Sequence, residues 1–236
     1  MKLAVGLVVQ GGKEFIDQWL KSVEQFKCMI FVVDNDADSE VKVKLINHPQ
    51  MKQYHIQKNM GRNQSRDYQK ILEMAREEDV DWVWNLDIDE FIPNFNVNLL
   101  SDFLLNTKCT SIGLPLFEMR EDDNHYVMIT DCTPTLKDAR LCHKIYKVQS
   151  HFEFNEKDVH GISIPHNCLT GDTFPLPIQH FGHYSKELRE KKRNYYKEHS
   201  FKDLSEQNST WLEEDESKIT IKEFDKFVKE RFPIIK

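Results

Sequence analysis

The stretch WNLDIDEFI, residues 84–92, closes an apolar run with three carboxylates, Asp87, Asp89 and Glu90. Residues Asp81 to Leu86 read as a buried strand, so the acids fall where that strand leaves the core. A desolvated carboxylate is costly unless a cation or a set of donors neutralises it. In open α/β sheets, ligands collect beyond the carboxyl ends of the strands, which is where this cluster lies. On an extended chain side chains alternate, which would send Asp87 and Asp89 to one side and Ile88 inward. Two hard oxygen donors at that spacing suit Mn2+ or Mg2+, which take one or two carboxylates together with phosphate oxygens and water. The plain alternative is an exposed acidic strand end.

Upstream, Leu3 to Val9 is β-rich, and from Lys13 the residues Phe15, Ile16, Trp19, Leu20 and Val23 recur at helical spacing. Met29 to Val33 predicts a second strand. Tyr68, Ile71, Leu72 and Ala75 follow i, i+3, i+4, i+7 and predict a helix. Continuous rather than alternating apolar strands, separated by helices, predict a mostly parallel sheet with helices on both faces. Beyond Pro93 the pattern weakens. Leu99, Leu100, Phe103 and Leu104 suggest a short helix, and SIGLPLFEM (111–119), HYVMITD (125–131) and HKIYKVQ (143–149) suggest three strands. Residues 133–177 read as loop. A charged helix is predicted from Ser185 to about Glu198, and Thr220 with Glu223 forms a capping box before Phe224, Phe227 and Val228. SEQNSTWLEEDES, residues 205–217, reads as a link between them.

The 236 residues, 39% apolar and 11% aromatic, suit one substantial core with a C-terminal extension. A formal charge of -7 and a pI near 5.8 disfavour a general polyanion binder, although a local basic patch is allowed. The five cysteines (28, 109, 132, 142 and 168) form neither a CxxC pair nor a zinc pattern. Free thiols in a reducing compartment are expected, with Cys109 or Cys132 open to pairing in an exported chain. No run approaches the ~20 apolar residues of a transmembrane helix. MKLAVGLVVQGGKE shows no small-residue cleavage site and leads straight into an amphipathic helix, so it reads as a first strand. The expected location is cytoplasmic, with room for peripheral association at the inner membrane face.

Two further motifs flank the acidic cluster. DNDADSE, residues 34–40, superficially resembles a calcium loop, but Ser39 and Leu45 stand where an EF-hand needs Gly and a bidentate Glu. Asp34 is better read as a strand-end group accepting hydrogen bonds from a base or ribose. NMGRNQSRD, residues 59–67, is a Gly-bearing turn that opens a helix, and Arg62 and Arg66 at i, i+4 share a face there. Backbone amides and arginines at a helix start favour phosphate, the alternative being a solvated basic helix end.

Taken together, these stretches resemble the GT-A glycosyltransferases, in particular the family-two nucleotide-sugar transferases and their lipopolysaccharide-core-type relatives. QGGKEFIDQWL matches a motif like RNEEKYIEEWL, FVVDNDADSE matches VVDNGSTD, NMGRNQSRD matches NxGxxxARN, and LDIDEF matches LDADEF, in that order over residues 1–92. Later, QHFGHYSKELREKKRNYY places His180, Ser185, Lys192 and Tyr196 like a pattern of the form HyxxxSxxxxxxxKxxxY. Two departures stand out: Gly11-Gly12 replaces the usual Arg-Asn, and Asp67 the usual Asn. Residues 94–175 carry little specific resemblance.

The resemblance implies an α/β GT-A fold with a Rossmann-like nucleotide-binding sheet and a C-terminal helical extension. It divides one 1–236 domain into a nucleotide-sugar half (1–92), an acceptor half (93–184) and C-terminal helices (185–236). It assigns Val9, Gln10, Asp34, Asn59, Gly61, Arg62, Arg66, Asp87, Ile88 and Lys192 to the nucleotide sugar. Asp89 and His180, with Asp87 and His183 behind them, would hold Mn2+ or Mg2+. The base that deprotonates the acceptor hydroxyl would be Glu118 or Asp131, with Glu121, Asp122 and Asp123 as rivals. His160 is a candidate acceptor-site residue. The implied activity is metal-dependent transfer from a nucleoside-diphosphate sugar, UDP-sugars first, to a carbohydrate or lipid-linked glycan hydroxyl, with inversion, in glycan or surface polysaccharide synthesis. A nucleic-acid acceptor is disfavoured and stays open. Two rivals are carried: a metal-dependent nucleotidyltransferase, for which Gly11-Gly12-Lys13 is a faint phosphate loop, and a non-catalytic module that binds nucleotide sugars.

Overall fold

Alternate residues of the first strand feed two separate cores. The computed structural model of the protein describes residues 1–57, 63–122, 125–129, 141–155, 163–182, 184–198 and Glu230. In chain order its first elements are β1 (Leu3–Gly11), α1 (Ile16–Glu24), β2 (Met29–Ala37), α2 (Ser39–Ile46), β3 (Met51–Ile56), α3 (Gln64–Glu77) and β4 (Trp82–Asn85). Then follow β5 (Glu90–Phe91), α4 (Val97–Asn106), β6 (Ser111–Asp122), β7 (His125–Ile129), β8 (Leu141–Lys147), β9 (Asp172–Thr173), β10 (Ile178–His180) and α5 (Lys186–Glu198).

Val5, Leu7 and Val9 of β1 point to the face covered by α1, α2 and α4, where Trp19, Val23, Val41, Leu45, Leu100 and Leu104 are buried. Ala4 and Val8 point to the opposite face, against Ile71, Leu72, Met74 and Ala75 of α3. A strand buried on both sides has no polar face to show, which is why its sequence is continuously apolar.

The main sheet runs β3-β2-β1-β4-β8-β6. β1 to β4 are mutually parallel, and β8 is antiparallel to both β4 and β6. β6 belongs to four ladders, one of them with β9 through Ile112 and Gly113. Its first residues, Ser111 to Pro115, pair with β8, while Leu116 to Glu118 run parallel to β10 and Glu118 to Asp122 pair with β7. β10 in turn pairs antiparallel with β5, so that His180 lies opposite Glu90. This last short ladder brings residues 90 positions apart in sequence to the end of β4.

The expected strands and helices on both faces are present, with three differences. β2 continues through Asp34 to Ala37 instead of ending at Val33, so the DNDA segment is strand. α2 and β3 were not foreseen, since α2 buries only Val41 and Leu45 and β3 is an edge strand with half-buried side chains. Within the loop-rich segment 133–177, β8 is the strand expected at 143–149, whereas β9 was not foreseen. The charged helix is α5, with the Ser185 hydroxyl accepting from the Leu188 amide at 3.2 Å. The 205–217 link and the Thr220 capping box lie outside the described residues.

Candidate active site

At the end of β4 the chain turns rather than continuing extended. The Glu90 amide donates to the Asp87 carbonyl at 3.0 Å, closing a turn over Asp87–Glu90. This corrects the expected alternation: Asp87 and Asp89 diverge to different partners. Ile88 does pack inward, half-buried against the core that holds α1. Gly12 explains itself through this turn, because its φ is +95° and a Cβ there would stand 3.0 Å from Ile88 Cγ1. The Gly11-Gly12 pair thus serves a turn and a close approach, and its carbonyl at Gly12 receives the Phe15 and Ile16 amides at 3.1 and 3.2 Å.

Asp89 meets His180. The imidazole Nε2 lies 3.3 Å from Asp89 Oδ2, and the Phe181 amide donates to the Asp89 carbonyl at 2.8 Å. Phe91 and Phe181 pack with ring centroids 4.9 Å apart, and Tyr184 continues the row at 5.2 Å from Phe181. The β5–β10 ladder and these rings fix the pair. Gly182 borders it: a Cβ at that position would meet Asp89 Oδ2 and would lie 2.6 Å from His180 Nε2. Burial alone would raise the Asp89 carboxyl, but the His180 imidazolium, with Lys192 and Lys144 farther off, holds it well below the usual carboxylate range.

These two residues fit a hard divalent ion. A six-coordinate ion about 2.1 Å from each donor separates adjacent donors by about 3 Å. A carboxylate and an imidazole nitrogen 3.3 Å apart, beside a residue with no side chain, meet that requirement. Among the described residues no group of three His, Cys, Asp or Glu donors converges, and His183 lies outside them.

Asp87 and Glu90 are engaged by a residue that sequence reasoning missed. Lys144 of β8 places its ammonium 2.8 Å from Asp87 Oδ2 and 2.6 Å from Glu90 Oε1. Tyr68 of α3 donates to Asp87 Oδ1 at 3.2 Å, and the Asp87 amide donates to Glu90 Oε2 at 3.1 Å. Burial, together with the neighbouring Asp87 charge and against the pull of Lys144, pushes Glu90 up to about 7. Burial would lower Lys144, yet the two carboxylates keep it well above the ordinary lysine range. No sequence signal marked Lys144, because its strand, LCHKIYK, also carries His143 and Lys147.

Asp34 is fully buried at the end of β2. Its Oδ1 accepts from the Asp36 and Ala37 amides at 2.9 and 2.6 Å, and its Oδ2 from the Tyr54 hydroxyl at 2.8 Å, with Lys42 Nζ at 3.3 Å. A carboxylate has about four acceptor positions. Asp34 therefore anchors the corner between β2 and α2, and a nucleotide contact would have to displace one of these donors. Val9 is buried at the end of β1, where its side chain faces the core, while Gln10 beside it is exposed.

Arg66 forks onto Asp67 Oδ1 through Nε at 2.9 Å and a terminal nitrogen at 2.8 Å. Asp67 also accepts from the Asn35 amide nitrogen, so the Asn-to-Asp departure creates a buried charged pair. Asn63 caps α3 by accepting from the Arg66 amide at 2.9 Å. Lys192 of α5 is half-buried, with its charge felt at Asp89. The Glu118 backbone lies next to His180, its register partner in β10. Asn59, Gly61, Arg62, Asp123, Asp131, His160 and His183 lie outside the described residues.

Comparison with known proteins places the fold. No family model and no curated protein sequence matches the chain. Among solved structures, S. aureus TarS superposes with a TM-score of 0.55 at 13% identity over 77% of this chain. A TarS 1–349 structure in complex with UDP-GlcNAc superposes with a TM-score of 0.54 at 14% identity over 80% of this chain. The chain spans 37% and 60% of those two chains. The architecture is the GT-A fold, as the sequence resemblance implied. Among the described residues no helix is long and apolar enough to cross a membrane.

Proposed function

We propose that the chain is a metal-dependent glycosyltransferase that moves a sugar from a nucleoside-diphosphate sugar, a UDP-sugar first, to a hydroxyl of a carbohydrate or lipid-linked glycan, with inversion. The observation that carries this reading is the Asp89–His180 pair at the end of β4, with Gly182 packed against both side chains, on a GT-A sheet. The UDP-GlcNAc held by the TarS structure supports a uridine donor.

Asp89 and His180 would hold Mn2+ or Mg2+, which would stabilise charge on the departing nucleoside diphosphate as a Lewis acid. Asp87, held by Lys144 and Tyr68, would accept a hydrogen bond from the ribose. The start of α3 supplies positive potential for the diphosphate, with Arg66, paired to Asp67, near it and with Arg62, Asn59 and Gly61 of the same motif assigned there by resemblance. Lys192 adds positive charge beside Asp89. Glu118 is the proposed base, because its backbone neighbours His180 across the β6–β10 ladder.

The nucleotidyltransferase reading loses its main support, since Gly12 packs on Ile88. A thermal-shift panel separates the two. Stabilisation by UDP with Mn2+ above that by any nucleoside triphosphate is the expected result, and a preference for a triphosphate would sink the proposal. If UDP with Mn2+ stabilises the chain but no nucleotide sugar is turned over, the non-catalytic module is the better reading.

A further inference from the structure

Three carboxylate oxygens, from two residues of one turn, surround a single buried ammonium. Lys144 Nζ lies 2.8 Å from Asp87 Oδ2, 2.8 Å from Glu90 Oε2 and 2.6 Å from Glu90 Oε1. Its side chain is only 6% exposed. A lysine is almost never buried unless paired, and removing one partner of such a pair leaves an uncompensated charge. The oxygens it gathers are the donor set that a hard divalent cation takes. The turn's backbone is tied to the same groups, through the Asp87 amide on Glu90 Oε2 at 3.1 Å and the Glu90 amide on the Asp87 carbonyl at 3.0 Å.

Asp89, between these two acids in sequence, points elsewhere. Its carboxylate faces His180 Nε2 at 3.3 Å, on a different strand from Lys144. The turn therefore has two halves: one held by the Lys144 ammonium, and one where a carboxylate pairs with an imidazole, both of them metal-donor types.

We infer that Lys144 is a built-in cation that stands where a second divalent ion would otherwise bridge Asp87 and Glu90, and so confines the acidic turn to one exchangeable metal at Asp89 and His180. This rests on the reading of Asp89 and His180 as metal donors. Lys144 is a positioning residue, acting through the two carboxylates it holds. Without its charge, half-buried Asp87 and buried Glu90 are adjacent carboxylates that must take up either Mn2+ or a proton. Arginine keeps the charge and the capacity to pair both carboxylates.

The test counts Mn2+ bound per chain, from the electron paramagnetic resonance signal of the free ion. It uses the full chain as wild type, Lys144→Met, Lys144→Arg and Lys144→Met with Glu90→Gln, each also melted in EDTA. Wild type and Lys144→Arg are expected to bind one ion, Lys144→Met two, and the double variant one. In EDTA the melting temperature of Lys144→Met should fall by on the order of 10 °C and partly recover in the double variant. A Lys144→Met chain that folds only when Mn2+ is added supports the same conclusion. Two ions on the wild type overturn the proposal without reference to any variant, as does an equal count on wild type and Lys144→Met. Wild type binding no ion while Lys144→Met binds one would instead remove the Asp89–His180 metal reading and leave the role of Lys144 standing.

Discussion

The imidazole Nε2 of His180 lies 3.3 Å from Asp89 Oδ2, in ion-pair contact, with the backbone of Gly182 close against both. Both donors are fixed from behind, Asp89 by the turn that ends β4 and His180 by its ladder with β5 and β6. An ion that replaces this contact meets donors already at chelating separation, so little ordering remains to be done when it binds.

Gly182→Ala probes that pair directly. The added methyl would stand 2.6 Å from His180 Nε2 and against Asp89 Oδ2, so the ends of these two side chains must move. The expected outcome is a normal melting temperature in EDTA with Mn2+-dependent turnover reduced by about 10²-fold, the scale on which small misplacements act. Steady-state rates beside melting curves check it, and full activity in the variant would show that the pair is not used.

Asp34 is expected to matter first for stability. Asp34→Asn removes the charge that faces Lys42 and disturbs acceptors for two backbone amides and the Tyr54 hydroxyl. A loss of about 2 kcal/mol is expected for weakening charged hydrogen bonds at a buried site. Urea denaturation measures this, and an unchanged midpoint would contradict the anchoring role.

Much of the fold was legible because β1, β2 and β4 are covered on both faces and spell continuous apolar runs, and because the acidic turn falls where such a strand ends. β3 was not, since an edge strand with exposed Lys52 beside half-buried Gln53 and His55 carries no strong period. Asp89 and His180 could be paired from motif resemblance alone. Lys144 could not, because its partners are 54 and 57 residues away, and a lysine in HKIYK reads as solvent-facing until the sheet shows what lies behind it. The divergence of Asp87 from Asp89 was likewise hidden, since period-two reasoning fails once the chain turns at Asp87.

The thiols offer an independent check on the packing. Burial pushes both Cys28 and Cys168 up to about 12. At pH 8 only about one in 10⁴ of either would be thiolate, the form that reacts. Iodoacetamide at that pH should therefore leave both unmodified in the folded protein and label both after denaturation, as read by peptide mass mapping. Rapid labelling of native Cys28 would mean that the α1 layer does not cover β1 and β2 as described.

The central claim is that Asp89 holds a metal used in sugar transfer. The most direct measurement is nucleotide release from a panel of nucleoside-diphosphate sugars, with wild type beside Asp89→Ala, each with Mn2+ and with EDTA. The account predicts release from at least one uridine donor by wild type with Mn2+, abolished by EDTA and reduced by about 10²-fold or more in Asp89→Ala. Equal, EDTA-insensitive release by the two proteins would contradict it.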